Sequence, residues 1–82
     1  MQNIVIYTTT TCPYCVRAKA LLDRKKLKYQ EINVDDEQER NKMLEKTGGK
    51  RSVPQIFIGT KHIGGCDDLY MLDKEGKLPS NM

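Results

Sequence analysis

No stretch of this 82-residue sequence is apolar over anything near the ~20 residues that a bilayer-spanning helix requires. The opening Met1-Gln2-Asn3 carries no basic residue, and the apolar run behind it, Ile4 to Tyr7, is too short for the centre of a secretory signal. The chain is therefore expected to work in the cytoplasm, away from membranes. Charge of one sign is also scarce. Fourteen Lys and Arg stand against eleven Asp and Glu, a net +3. Those charges are scattered, and the balance is too mild to point to nucleic acid. The densest cationic run, Arg24-Lys25-Lys26, falls where a helix is expected to end, and cations there meet the negative end of the macrodipole. Repeats, low-complexity segments and linkers are missing, so residues 1–82 are expected to form one domain around one modest core. A chain that is 38% hydrophobic and 30% charged suits a soluble globular domain.

Cysteine is sparse and odd in number, three in all. An odd count argues against a disulfide scaffold, and cytoplasmic disulfides are usually catalytic or transient. Two of the three nevertheless stand three apart, as Cys12-Pro13-Tyr14-Cys15, after a run of four threonines, Thr8 to Thr11.

The rest of the chain says where that pair sits. Residues 3–8 contain Ile4-Val5-Ile6-Tyr7, a continuous β-prone run that suits a strand buried on both faces. Pro13 is at home in the first turn of a helix. Ala18, Leu21 and Leu22 then give one apolar face, and Arg17, Lys19 and residues 23–26 a wet one, so a helix is expected over 13–26. A second strand is expected over 28–34, where Ile32 and Val34 alternate with polar residues. Asp35-Asp36-Glu37 is an acidic helix start, Arg40, Met43, Leu44 and Thr47 follow at helical spacing, and Gly48-Gly49 stops the helix. A third strand is expected over 53–58, a glycine-first turn at Gly59-Thr60 and a fourth strand over 61–64. Gly64-Gly65 breaks it. Asp67 or Asp68 is expected to cap a third helix carrying Leu69 and Leu72. The order β-α-β-α-β-β-α implies an α/β domain. Its first crossover is right-handed and parallel, and the hairpin completes a four-stranded mixed sheet flanked by three helices.

On this layout Cys12 lies at a helix start and Cys15 one turn inside. A helix start carries unpaired N–H groups and a partial positive charge, and both favour a thiolate. Cys15 faces the same side of the helix and is close enough for a short disulfide. The pair therefore reads as an exposed attacker and a shielded resolver. Two other readings stand beside it. Cys12 and Cys15 joined by His62 and Cys66 would make a Cys3His zinc site, since His62-x-x-x-Cys66 has ligand-like spacing. No second tight cysteine pair exists, and a strand-to-helix corner suits the surroundings better than a zinc knuckle. The other reading, an inert disulfide, has no cause in a reducing compartment.

Cys12-Pro13-Tyr14-Cys15, Ser52-Val53-Pro54 and Gly64-Gly65-Cys66-Asp67-Asp68, in that order and in those elements, resemble a bacterial dithiol glutaredoxin over essentially the whole chain. The helix containing Arg17-Ala18-Lys19-Ala20-Leu21-Leu22 is similar to that of the small members of the family. The resemblance implies a thioredoxin-like fold and a glutathione-dependent thiol-disulfide oxidoreductase. Such an enzyme reduces protein disulfides and glutathione mixed disulfides. Glutathione is implied as co-substrate, with no tightly bound cofactor and no metal. The implied partners are glutathione and disulfide-bearing or glutathionylated proteins, met by a monomer.

Carried over residue by residue, Cys12 is the nucleophile, Cys15 the resolving thiol, and Tyr14 flanks bound glutathione. The resemblance implies a cis Val53–Pro54 bond. It also implies that the Ser52-Val53-Pro54 stretch offers the Val53 backbone to the cysteine of glutathione in strand-like fashion. At Gly64-Gly65 the missing side chains let a ligand approach the backbone. The N–H groups of Cys66 and Asp67 would hold the γ-glutamyl carboxylate and Asp67 the α-amino group. Cys66 itself reads as a small buried hydrophobe.

One departure stands out. Many relatives have a lysine shortly before the first cysteine, near the glycyl carboxylate, and this chain has threonines there. Arg40 is expected to take over that contact, with Lys50 or Arg51 as the alternative. A rival function is an iron–sulfur carrier, with a cluster held between two chains by the first cysteine of each. Family members of that kind usually lack a proline after that cysteine or keep one cysteine only, so Pro13 and Cys15 count against it.

Overall fold

The computed structural model describes residues 3–78. Its elements follow the expected order: β1 (Ile4–Thr8), α1 (Pro13–Arg24), β2 (Gln30–Asn33), α2 (Glu37–Thr47), β3 (Gln55–Ile58), β4 (Lys61–Gly64) and α3 (Cys66–Lys74). The sheet order is β2-β1-β3-β4. β1 runs parallel to β2 and antiparallel to β3, and β3 pairs antiparallel with β4.

β1 is central, which explains its continuous apolar run. Its Ile4 and Ile6 pack with Ala18, Leu21 and Leu22 of α1, Ile56 and Ile58 of β3, and Cys66 and Leu69 of α3. Its Tyr7 faces the other way, into a smaller cluster with Val34, Phe57 and Met43 of α2. The sheet is thus covered by α1 and α3 on one side and by α2 on the other. β2 is an edge strand, and three of its four residues are exposed. It is shorter than expected, although Val34 still donates its N–H to Thr8 O at 2.7 Å.

Three further boundaries differ from expectation, each for a local reason. α1 stops at Arg24 rather than 26 because Lys26 takes a positive φ of 57°. Leu27 N–H then reaches back to Leu22 O at 3.0 Å and Lys26 N–H to Asp23 O at 3.0 Å, a Schellman closure. β3 begins at Gln55 rather than 53, since Pro54 has no N–H to give a ladder. At α3 the N-cap position belongs to neither aspartate, although Asp68 takes part in the cap. Gly65 is its N-cap, and Asp68, three residues in, accepts the Gly65 N–H at 3.0 Å. Gly64, at φ 120°, cannot carry a side chain, because a Cβ there would overlap the Asp68 carboxylate. The Gly59-Thr60 turn joins β3 and β4 as expected, with Gly59 at positive φ and Ile58 opposite Lys61.

Candidate active site

β1 ends at Thr8, and the threonine run carries the chain over the end of the sheet into α1. The side-chain ties of Thr8 and Thr10 go to β2 or just beyond it. Thr8 Oγ1 donates to Glu31 Oε2 at 2.7 Å. Thr10 N–H reaches Asp35 Oδ2 at 3.3 Å, and its hydroxyl bonds the same carboxylate. The turn is therefore pinned on its β2 side before it delivers Cys12.

Cys12 is the N-cap of α1, with Pro13 in the first turn. Its Sγ accepts the Cys15 N–H at 3.1 Å and lies 3.7 Å from Val53 O, to which the thiol donates. The expected ordering of exposure holds only narrowly. Cys12 is 9% exposed and Cys15 1%, so the first sulfur is recessed rather than open. All three cysteines are free thiols. The Cys15 thiol is pushed up to about 12, chiefly by burial and then by its hydrogen bond with Cys12; a Thr9 backbone contact and the Lys19 charge oppose the rise. Burial also raises the Cys66 thiol, and Arg17 opposes that shift.

Beside Cys12 lies an open cleft of about 280 Å³. One wall is Lys50, Ser52, Val53, Pro54 and Gln55, and the other is Gly64 to Asp68, with Tyr14 at the α1 end. Cys12 is not itself part of the wall but touches it at Val53. The Val53–Pro54 bond is cis. Gly65 lets the two walls close up, since even a Cβ there would lie 3.4 Å from Pro54 O. Tyr14 is 56% exposed. The Arg17 guanidinium lies 6.0 Å from its ring and 5.8 Å from that of Tyr70. Asp67 is exposed in the first turn of α3, and Cys66 is buried beneath it.

The fold thus gathers Tyr14, Ser52, Val53, Pro54, Gly65, Cys66 and Asp67 around one cleft next to the cysteine pair. Arg40 is not in the cleft wall. It is half-buried near the start of α2, and its Nε donates to Val34 O at 3.2 Å. Lys50 is the basic side chain that lines the cleft. His62 does not join the cysteines: its Nε2 lies 2.7 Å from Gln55 Oε1, and its ring stacks on Phe57. Among the described residues, no three His, Cys, Asp or Glu side chains are grouped as a metal ion would need. Gln55 escaped sequence reasoning. The signal was there, as a lone amide at the head of an apolar strand, Gln55-Ile56-Phe57-Ile58, with 3% of its surface exposed.

Two free thiols three residues apart at the strand-to-helix corner of a mixed sheet are the arrangement of a thiol-disulfide oxidoreductase of thioredoxin-like fold. The sequence model of the Glutaredoxin family matches residues 4–63. Glutaredoxin 1 of Rickettsia prowazekii is 54% identical over 80 residues, covering 95% of this chain and 84% of that one. Glutaredoxin 3 of Escherichia coli is 53% identical over 78 residues, covering 95% and 94%. The solution structure of a glutaredoxin from Brucella melitensis superposes with a TM-score of 0.80 at 51% identity, covering 94% of this chain and 84% of that one. A crystal structure of a buckwheat glutaredoxin–glutathione complex gives 0.83 at 40% identity, covering 94% and 73%. The chain belongs to the glutaredoxin family.

Proposed function

We propose that this glutaredoxin reduces glutathione mixed disulfides and protein disulfides with glutathione as the electron source. The observation that carries the reading is the placement of Cys12 Sγ. It sits on a helix start, accepts the Cys15 N–H at 3.1 Å and lies against Val53 O beside a cleft. The Cys12 thiolate attacks the glutathione sulfur of a mixed disulfide. The substrate thiolate leaves and takes a proton, and Cys12 is left joined to glutathione. A second glutathione thiolate then attacks that sulfur, releasing oxidised glutathione and free Cys12. With a protein disulfide, Cys12 is joined to the substrate instead. Cys15 then loses its proton and attacks Cys12 Sγ, the substrate leaves as a dithiol, and two glutathiones reduce the Cys12–Cys15 disulfide.

In the bound state the Val53 backbone pairs with the cysteine of glutathione, Ser52 and Pro54 shape that wall, and Tyr14 flanks the tripeptide. The γ-glutamyl carboxylate takes the N–H groups of Cys66 and Asp67 at the open start of α3, with Gly65 giving clearance and Asp67 meeting the amino group. A cation meets the glycyl carboxylate. Lys50 in the cleft wall is the first choice, and Arg40, tied to Val34 O, the second. The chain acts as one cytoplasmic, monomeric domain without a resident cofactor. A coupled assay with glutathione, glutathione reductase and a small glutathione mixed disulfide tests the reading. Turnover that depends on Cys12 supports it, and no turnover above the uncatalysed rate sinks it.

A further inference from the structure

We propose that His62 and Gln55 are a positioning pair that fixes the Ser52–Val53 backbone opposite Cys12, with His62 acting through the amide of Gln55. The inference rests on the glutathione reading above.

The geometry fixes which way the Gln55 amide faces and which His62 nitrogen carries the proton toward it. Gln55 is a buried amide, and its nitrogen donates to Ser52 O at 2.9 Å and to Ser52 Oγ at 3.2 Å. A backbone carbonyl only accepts, so the amide nitrogen must point at Ser52 and the amide oxygen must point the other way. That oxygen meets His62 Nε2 at 2.7 Å, so His62 must be the donor and carry its proton on Nε2. The imidazole is held in turn by stacking on Phe57, with centroids 4.7 Å apart and planes 22° from parallel. The residue after Ser52 is Val53, whose carbonyl touches Cys12 Sγ.

A loop residue that must present its backbone to a ligand is thus tied from behind by a side-chain amide. The amide can hold only one orientation while the histidine donates to it. Without that donor, the Gln55 oxygen is left buried and unpaired, a costly state that favours turning the amide over. A turned amide would aim its oxygen at Ser52 O, two acceptors facing each other, and the loop would give way. Gln55 lines the cleft, whereas His62 belongs to β4 and does not, so a change at His62 removes no residue from the cleft wall and acts on it only through Gln55.

The test compares His62→Gln with His62→Asn. Both lose the ring stacked on Phe57. A glutamine side chain sets its amide nitrogen close to where Nε2 stood, while the shorter asparagine sets it near Nδ1, out of reach of Gln55. The asparagine variant is expected to raise KM for a glutathionylated peptide roughly fivefold, the worth of about one hydrogen bond, with kcat little changed. The glutamine variant should stay near the wild type. Equal KM in the two variants, or a fall in kcat alone, overturns the proposal. Amide hydrogen exchange across residues 52–55 in the ligand-free protein gives a second arm that needs no substrate. Faster exchange in His62→Asn than in His62→Gln supports the positioning role, and equal exchange overturns it. An inactive wild type would overturn the functional reading, while the exchange comparison would still decide the positioning.

Discussion

Cys15 gives its backbone N–H to the sulfur of Cys12 at 3.1 Å while its own sulfur stays buried. On the proposed mechanism, one residue therefore serves the first step through its main chain and the second through its side chain. The N–H contact is available whatever the state of the Cys15 sulfur. The thiol must first be deprotonated, and burial opposes that. A nucleophile supported from the start and a resolver held back until needed is the order that a two-step exchange requires.

The two steps are expected to separate by mutation. Cys12→Ser should abolish activity on all substrates, because no sulfur remains to attack. Cys15→Ser keeps the backbone N–H at Cys12, so turnover of a glutathione mixed disulfide should persist, while reduction of a protein disulfide by the dithiol route is lost. Steady-state assays with both substrate types check this. Equal loss of both activities in Cys15→Ser would remove the role assigned to its thiol.

The raised Cys15 thiol makes a prediction about charge. Lys19 lies one turn along α1 from Cys15 and opposes the rise, and its ammonium is held by Glu31 at 2.9 Å. Cys12 and the Thr9 backbone are the other groups that act on that thiol, while Tyr29 and Glu31 act on Lys19. In a Cys12→Ser background, Lys19→Gln should slow Cys15 alkylation between about pH 8 and 10, where lysine is charged. Glu31→Gln leaves Lys19 uncompensated and should speed it. If breaking this ion pair from either side shifts the rate the same way, Lys19 acts through structure rather than charge.

The sequence was most legible where one physical rule governed each position. The apolar run of β1, the proline in the first turn of α1 and the paired glycines after α2 gave element order and sheet topology. The cysteine pair pointed to thiol-disulfide chemistry, the class to which the family belongs. What stayed hidden depended on long-range partners. Nothing local says that Glu31 and Asp35 would hold the threonine run, or that His62 would turn to Gln55 instead of the cysteines. The cap of α3 was legible only in part, because the N-cap position falls to Gly65 and the aspartate acts from three residues further on. From there Asp68 reaches back to Gly65 N–H. Lys50 and Arg40 were both credible as cations, and only the folded chain separates one in the cleft wall from one tied to Val34.

Glu31 should leave a mark on acid stability. Its carboxyl is held below the usual value by the Thr8 hydroxyl first and by Lys19 second. A carboxylate with a depressed folded-state pKa contributes stability that is fully present above its unfolded value and is lost as pH falls through the folded value. Wild type should therefore melt above Glu31→Gln at pH 7, and the gap should close as the pH drops below about 4. The pair is partly exposed, so the difference will be modest. Thermal melts of both proteins across that range check it, and a gap that widens in acid would contradict the assignment.

The last prediction concerns the cation for the glycyl carboxylate. Thr9, in the threonine run before Cys12, offers only a hydroxyl. Lys50 lines the cleft on the same wall as Ser52 and Val53, so its ammonium is expected to meet a ligand bound there. Lys50→Ala should therefore raise KM for a glutathionylated substrate several-fold with little change in melting temperature. The loss should shrink at high salt, because exposed charges are screened within roughly 8 Å at physiological ionic strength. Arg40→Ala should behave differently. It removes the Nε bond to Val34 O, a half-buried charged contact worth about 1 kcal/mol, so it should lower stability as well as any contribution to binding. Thr9→Lys should restore affinity to Lys50→Ala, since a new cation near Cys12 would do the same electrostatic work from the other side. The measurement is KM for one glutathionylated peptide at low and high salt, alongside a melt for each variant. If Arg40→Ala raises KM in a salt-dependent way and Lys50→Ala leaves it unchanged, helix α2 rather than the loop before Ser52 holds the carboxylate, and Arg40 displaces Lys50 as its partner.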